Sequence, residues 1–140
     1  MAIYKRCSRC GKRIPSGSRC PCQKERNRAY DRAGRDKKSK GFYDSREWER
    51  ARDAALETDG GIDVYTYMTT GEIRMADTAH HIVPLKDDWE HRADVGNLMS
   101  LYHDTHSEIE QMYRKNKREM IAKLKEMLRK FRELRRVGGI

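Results

Sequence analysis

The spacing of apolar residues changes character several times along this chain, and each change predicts an element. Gln23 to Lys40 holds Arg26, Arg28, Arg32, Arg35, Lys37 and Lys38, with little beyond Tyr30 to anchor it. Such a stretch has no face worth burying and reads as a strongly basic helix or tether ended by Gly41. A helix follows, capped by Ser45 or Asp44, with Trp48, Ala51, Ala55 and Leu56 on its inner side and Asp59-Gly60-Gly61 as its stop. From Ile62 to Met75 the β-prone residues Ile62, Val64, Tyr65, Tyr67 and Met68, with a turn at Thr70-Gly71, predict a strand. Asp77 to Val83 predicts a second. Pro84 breaks the pairing, and Lys86 to Gly96 reads as an irregular loop. Asn97 to Tyr102 then leads into a helix from about Asp104 to Arg136. There Met120, Leu124, Met127, Phe131 and Leu134 recur in steps of four and three, the spacing of a packed helix face or a coiled-coil seam. Gly138-Gly139 ends it, and no internal repeat is visible.

Two groups of residues carry candidate chemistry. The first is His80-His81-Ile82-Val83-Pro84-Leu85, followed by Asn97-Leu98 and His106. Neutral imidazole binds metals and takes protons near working pH. Adjacent histidines can therefore divide the labour, one facing a cation and the other a water. The second group is Cys7-Ser8-Arg9-Cys10 with Cys20-Pro21-Cys22. Its first pair has the two-residue spacing of a zinc knuckle, and Gly11 supplies the freedom to turn backbone amides towards thiolates. The second pair is tighter, stiffened by Pro21. Four thiolates (Cys7, Cys10, Cys20 and Cys22) would close a structural Zn²⁺ site; two disulfides are the alternative.

Composition sharpens this picture. Of 140 residues, 36% are hydrophobic and 38% charged, enough for one modest core with a satellite module. No apolar run approaches the roughly 18–20 residues that span a bilayer. The first residues have no apolar stretch of the signal-peptide kind, which points to a soluble, cytoplasmic protein. The net charge of +9 is uneven. Residues 1–40 hold 14 Lys/Arg against 3 Asp/Glu, 41–105 hold 6 against 14, and 106–140 hold 11 against 5. The histidine-bearing segment is thus acidic between basic flanks. Basic flanks that track phosphates would offset its repulsion of DNA.

The ordered set of histidine doublet, Ile-x-Pro, Asn-Leu and final His resembles the HNH endonucleases of tailed bacteriophages, over roughly residues 42–110. The resemblance implies an α+β fold: a ββα-metal (HNH, or His-Me finger) core with flanking helices. Added to it are the N-terminal four-cysteine knuckle and the long basic C-terminal helix. The implied organisation is 1–40 for knuckle and tether, 41–110 for the nuclease core, and 111–140 for the helix. By the same resemblance, His80 and His106 bind the catalytic divalent metal and His81 is the general base. Asn97 holds the loop so that the base is aimed. Asp77 is a further candidate ligand or orienting carboxylate, and Glu110, one turn after His106, lies on the right helix face to approach the ion.

One departure concerns the core. Many relatives carry two Cys pairs beneath the site, whereas Val64 to Tyr67 and Tyr102 to Thr105 stand at those places here, with Tyr65 and Tyr102 as the expected fillers. Oxygen ligands favour Mg²⁺, while two imidazoles tilt a site towards Mn²⁺, Ni²⁺ or Zn²⁺. The implied reaction is hydrolysis of a DNA phosphodiester to 5′-phosphate and 3′-hydroxyl, by nicking or by double-strand cutting. Family analogy adds phage DNA packaging, with the terminase large subunit and portal as partners. The competing class is a non-catalytic zinc-containing DNA-binding protein. His81 discriminates, because binding alone gives no reason for a base beside His80.

Overall fold

A computed structural model describes residues 3–8, 10–22 and 37–140 and divides the chain into two compact units, 1–41 and 42–140. Most of the basic stretch expected over 23–40 lies outside the described residues. Its end is helical over 37–43, so Gly41 sits within a helical turn and does not stop it.

The first unit is built on a short hairpin. Strand β1 (Tyr4–Arg6) pairs antiparallel with β2 (Arg13–Pro15), with Lys5 opposite Ile14. The turn between them is the Cys7–Gly11 knuckle. Cys7 donates to Lys12 O at 2.9 Å, and Gly11 donates to Cys7 O at 3.0 Å. Gly11 adopts φ +72°, a left-handed conformation that a side chain would strain. Among the described residues of this unit, Ile14 and Cys20 are the buried hydrophobic ones.

The second unit carries the main core. Helix α1 (Arg46–Thr58) starts where expected: the Ser45 side chain accepts from the Trp48 amide at 3.2 Å. The strand expected over 62–75 is instead mostly helix, α2 (Val64–Thr70), with one isolated β-bridge between Ile62 and Met75. Capping overrides the β-branched and aromatic propensity. Asp63 accepts from the Thr66 amide at 2.9 Å, and Gly71 closes the helix at φ +78°. The other Asp63 oxygen accepts from Tyr102 N at 3.1 Å, fastening α2 to a distant part of the chain.

The sheet keeps the strand expected within Asp77–Val83 and takes a different partner from the one expected. Strand β3 (Thr78–His81) pairs antiparallel with β4 (Leu98–Leu101), setting His80 opposite Met99 and His81 opposite Leu98. The long loop lies between the two strands rather than after both. A 3₁₀ turn, Val95–Asn97, delivers the chain into β4. Helix α3 (His103–Arg136) follows at once, with Asn116 at φ −154° and ψ 71° interrupting its helical geometry. Val64, Ile82, Met99, Leu101, Ile109, Tyr113, Met120, Leu124, Leu128 and Phe131 form the principal core. Residues 111–140 thus belong to the second unit, and α3 packs on its own unit. Tyr65 packs against this core as a filler; Tyr102 is half-buried beneath the Arg74 guanidinium.

The second unit's ends are locked by a buried ion pair. Asp59, fully buried after α1, receives Arg132 Nε at 2.9 Å and the Ser100 amide at 3.2 Å. Arg132 also donates to the carbonyls of Val95 and Leu98, each at 2.7 Å. One guanidinium from the far end of α3 thus braces both sides of Asn97.

Candidate active site

His80 and His81 are adjacent in β3, so their side chains leave the strand on opposite faces. That alternation separates their environments. His80 turns towards α3, where His106 and Glu110 lie one helical turn apart. His106 Nε2 is 3.2 Å from Glu110 Oε1, and His80 Nδ1 is 3.7 Å from the same oxygen. Donor atoms of these three residues lie within 4.8 Å of one another. Donors sharing an ion at ~2 Å sit roughly 3–4 Å apart, so modest closure suffices to hold one divalent cation.

The protonation state suits that use. His80 is only 3% exposed, and its pKa falls to about 3 through burial and the nearby imidazoles of His106 and His81. It is neutral at working pH. Its Nε2 is buried without a hydrogen-bond partner. A neutral imidazole, a second imidazole and a half-exposed carboxylate form a donor set that fits Mn²⁺ or a similar borderline ion.

His81 occupies a pocket of different character. Trp48 stacks on its ring, with centroids 5.1 Å apart and planes 21° from parallel, while Phe42 and Tyr43 approach at 6.1 and 6.0 Å. Its Nε2 lies 2.8 Å from the carbonyl oxygen of Arg92. A carbonyl only accepts, so Nε2 must carry the proton and Nδ1 must hold a lone pair. Tyr43 Oη lies 3.5 Å from that Nδ1. Burial lowers the His81 pKa, the Arg92 hydrogen bond opposes this, and His106 adds to the lowering. The result is a neutral imidazole with a fixed tautomer, suited to accept a proton.

Asn97 links the site's supports. Its Oδ1 accepts from Val83 N at 2.9 Å and its Nδ2 donates to Val83 O at 3.1 Å, pinning the chain just after the histidine doublet. Tyr113 supports the same segment, donating to Ile82 O at 2.7 Å while its ring packs edge-on to His80. Asp77 stands outside the His80–His106–Glu110 group; its Oδ2 is 2.6 Å from His103 Nδ1. That contact lowers the Asp77 pKa and raises that of His103.

Of the residues expected from the sequence, His80 and His106 come together, His81 lies in a separate pocket on the other face of β3, and Asn97 pins Val83 just after the doublet. Glu110, which its spacing from His106 sets on the right helix face, joins the donor group. Sequence reasoning read Trp48 only as packing and missed its stack on His81. The Tyr113 and Arg92 contacts had no local signal.

In the first unit, the four cysteine sulfurs also form one group. Cys7 and Cys22 approach to 3.6 Å, and Cys10 and Cys20 to 3.4 Å, with no disulfide among the described residues. The Cys22 thiol is pushed up to about 12, first by its hydrogen bond to Cys20 and then by that to Cys7. Several thiolates this close need a cation between them, and tetrahedral Zn²⁺ fits a four-sulfur set.

Neither a family model nor a curated protein matches the chain. Among solved structures it is similar to the HNH endonuclease of the deep-sea thermophilic bacteriophage GVE2, crystallised with manganese ion. The two are 34% identical with a TM-score of 0.56, and the match covers 62% of this chain and 94% of that one.

Proposed function

The chain belongs to the bacteriophage HNH endonuclease family, and from that membership we propose that it hydrolyses DNA phosphodiester bonds with a catalytic divalent metal, leaving 5′-phosphate and 3′-hydroxyl ends. The hairpin and the start of α3 then constitute its ββα-metal core. The observation that carries the reading is the division of labour between adjacent histidines. His80 joins His106 and Glu110 in a donor group, while His81 is held apart as a neutral base with a carbonyl fixing its tautomer.

His80, His106 and Glu110 hold the catalytic ion, Mn²⁺ or Mg²⁺, which when bound offsets charge on the phosphate and on the leaving 3′ oxygen. The ion can fit because His80 presents a neutral ring and a buried nitrogen without a partner. His81 Nδ1 takes the proton of the attacking water, and its Nε2–H stays on the Arg92 carbonyl throughout. Trp48 and the Asn97–Val83 hydrogen bonds fix the ring's plane and height. Proton removal by such a positioned base contributes about 10²–10⁴ in rate. Asp77 serves as the partner of His103.

Cys7, Cys10, Cys20 and Cys22 hold a structural Zn²⁺ that organises the first unit, with no open position for chemistry. The protein acts in the host cytoplasm during phage DNA processing or packaging, where the terminase large subunit and portal are its family-analogy partners. Supercoiled plasmid incubated with the full chain and Mg²⁺, Mn²⁺, Ni²⁺ or Zn²⁺ in turn tests the activity. Relaxed or linear product with at least one ion is expected. Unbroken plasmid with all four, alongside firm DNA binding, would favour the non-catalytic DNA-binding protein.

A further inference from the structure

Helix α3 leaves the metal-donor group carrying exposed cations that pair with no carboxylate among the described residues. Its two flanks can be told apart on both sides of Asn116. On one flank, Met112 accepts from Tyr65 Oη at 3.9 Å and Lys123 lies 5.8 Å from the Tyr65 ring centroid. That flank faces α2. On the other, Glu110 approaches His80, Lys117 pairs with Asp87, and Arg132 reaches the carbonyls of Val95 and Leu98. That flank faces the hairpin and its loop.

Arg114, Arg118 and Lys125 lie along this second flank. Arg114 follows Glu110 by four residues, one helical turn. Arg118, Lys125 and Arg132 are spaced by seven, which keeps them on one stripe, and Arg132 marks where the stripe runs. All but Arg132 are exposed. Among the other cations of α3, Arg129 pairs with Glu126, Arg136 with Glu133 and Lys117 with Asp87, while Lys115 and Lys123, which line the Met112 side of the helix, form no ion pair among the described residues. Among the described residues no hydrogen bond or ion pair forms at Arg114, Arg118 or Lys125. These charges stand beside a segment, 41–105, that carries 14 acidic against 6 basic residues.

We propose that Arg114, Arg118 and Lys125 form a phosphate track for duplex DNA, running from the metal-donor group along the hairpin-facing flank of α3. The proposal rests on the reading of the chain as a DNA endonuclease and adds where the duplex lies. Beyond the break at Asn116, Arg118 to Lys125 rises about 10 Å, at 1.5 Å per residue. That distance matches roughly three base steps of 3.4 Å. The track offsets the repulsion that the acidic segment exerts on the strand being cut, and it carries no base recognition, since cations on phosphates position without specifying.

The test compares the full-length wild type with an Arg114→Gln/Arg118→Gln/Lys125→Gln variant and an opposite-flank Lys123→Gln/Lys130→Gln variant. Binding of a 25-base-pair duplex is measured from 50 to 200 mM NaCl without added divalent ion, and plasmid cutting is measured with Mn²⁺. Three lost phosphate contacts lower the salt slope by about 2.7, so the wild type loses about 40-fold more affinity than the triple variant across that range. In cutting, KM rises and kcat at saturating DNA is retained. The opposite-flank variant keeps the wild-type slope to within a fraction of that change. A wild-type slope in the triple variant, or an equal fall in both variants, overturns the track. Cutting that persists with an unchanged slope removes the track and leaves the nuclease; a changed slope in a protein that cuts with no ion keeps the track and removes the nuclease.

Discussion

The chain holds two clusters of metal-ligand residues, and they stand in opposite relations to the fold. In the first unit, four sulfurs gather in a segment whose buried hydrophobic residues, among those described, are Ile14 and Cys20. In the second, His80, His106 and Glu110 sit on a core that contains Val64, Ile82, Leu101, Ile109 and Phe131 at no exposure. There the site's geometry is fixed by backbone pairing, by the Asn97 and Tyr113 hydrogen bonds, and by the Asp59–Arg132 pair. On the proposed reading, an ion on the four sulfurs would help to supply the fold, whereas an ion at His80, His106 and Glu110 would be a reagent bound by a fold that already exists.

Stripping metal is the sharpest way to break the comparison. Strong chelation, or Cys22→Ser, should unfold the first unit entirely, because small sulfur-ligated units commonly fold only with their ion. The second unit should keep its melting transition. Amide exchange resolved by segment checks this: amides of Tyr4–Pro15 should lose protection while those of β3, β4 and α3 keep it. Loss of protection in both would mean that the units do not fold independently.

Within the second unit, chemistry and stability should separate at individual residues. His81→Ala should lower plasmid cutting by about 10²–10⁴ while Mn²⁺ affinity, measured by calorimetry, stays near that of the wild type. Equal cutting by the variant would remove His81 as the base. Asp59→Ala should do the reverse. It leaves Arg132 half-satisfied in the interior and should cost about 3–5 kcal/mol in urea unfolding, with Mn²⁺ affinity falling only where the unit has unfolded. A cost under about 1 kcal/mol would show that Arg132 escapes to solvent.

The sequence was most legible where one residue performs one local task. Ser45 caps α1, Gly11 takes a positive φ in the knuckle, and the doublet, Asn97 and His106 stand out through their resemblance to a family motif. It was least legible where a long-range contact decides a local outcome. Val64–Thr70 has the composition of a strand, yet Asp63 makes it a helix by capping it while also holding Tyr102. Leu98–Leu101 is too short to announce itself as a strand and becomes one by pairing with β3. At the site, Glu110 reaches His80 only because α3 crosses behind the hairpin, and the His81 tautomer depends on a carbonyl eleven residues away. The i, i+4 spacing marks Glu110 beside His106, but neither its reach to His80 nor the His81 tautomer has a signature in the local pattern.

Acid should sharpen the comparison by the smallest margin, and its sign follows from burial. In the metal-free second unit the His80 pKa is lowered from 6.5 to about 3, and that of His81 is lowered too. The unfolded chain then binds protons that the folded unit refuses, so this stability is fully present above about pH 6.5 and is lost progressively towards pH 3. At pH 5.5 the loss from His80 amounts to about 1.4 kcal/mol, rising by about 1.4 for each further pH unit down to about pH 3. The first unit responds by another route. Its Cys22 thiol, held up at about 12 without metal, must lose its proton to bind an ion, so acid releases the metal and the fold goes with it. Urea midpoints of chelated protein from pH 7 to pH 4 should therefore fall for the second unit even with no ion to lose. A flat midpoint over that range, or a His80 ring titrating near pH 6.5 by NMR, would contradict the buried neutral imidazole on which the catalytic site is built.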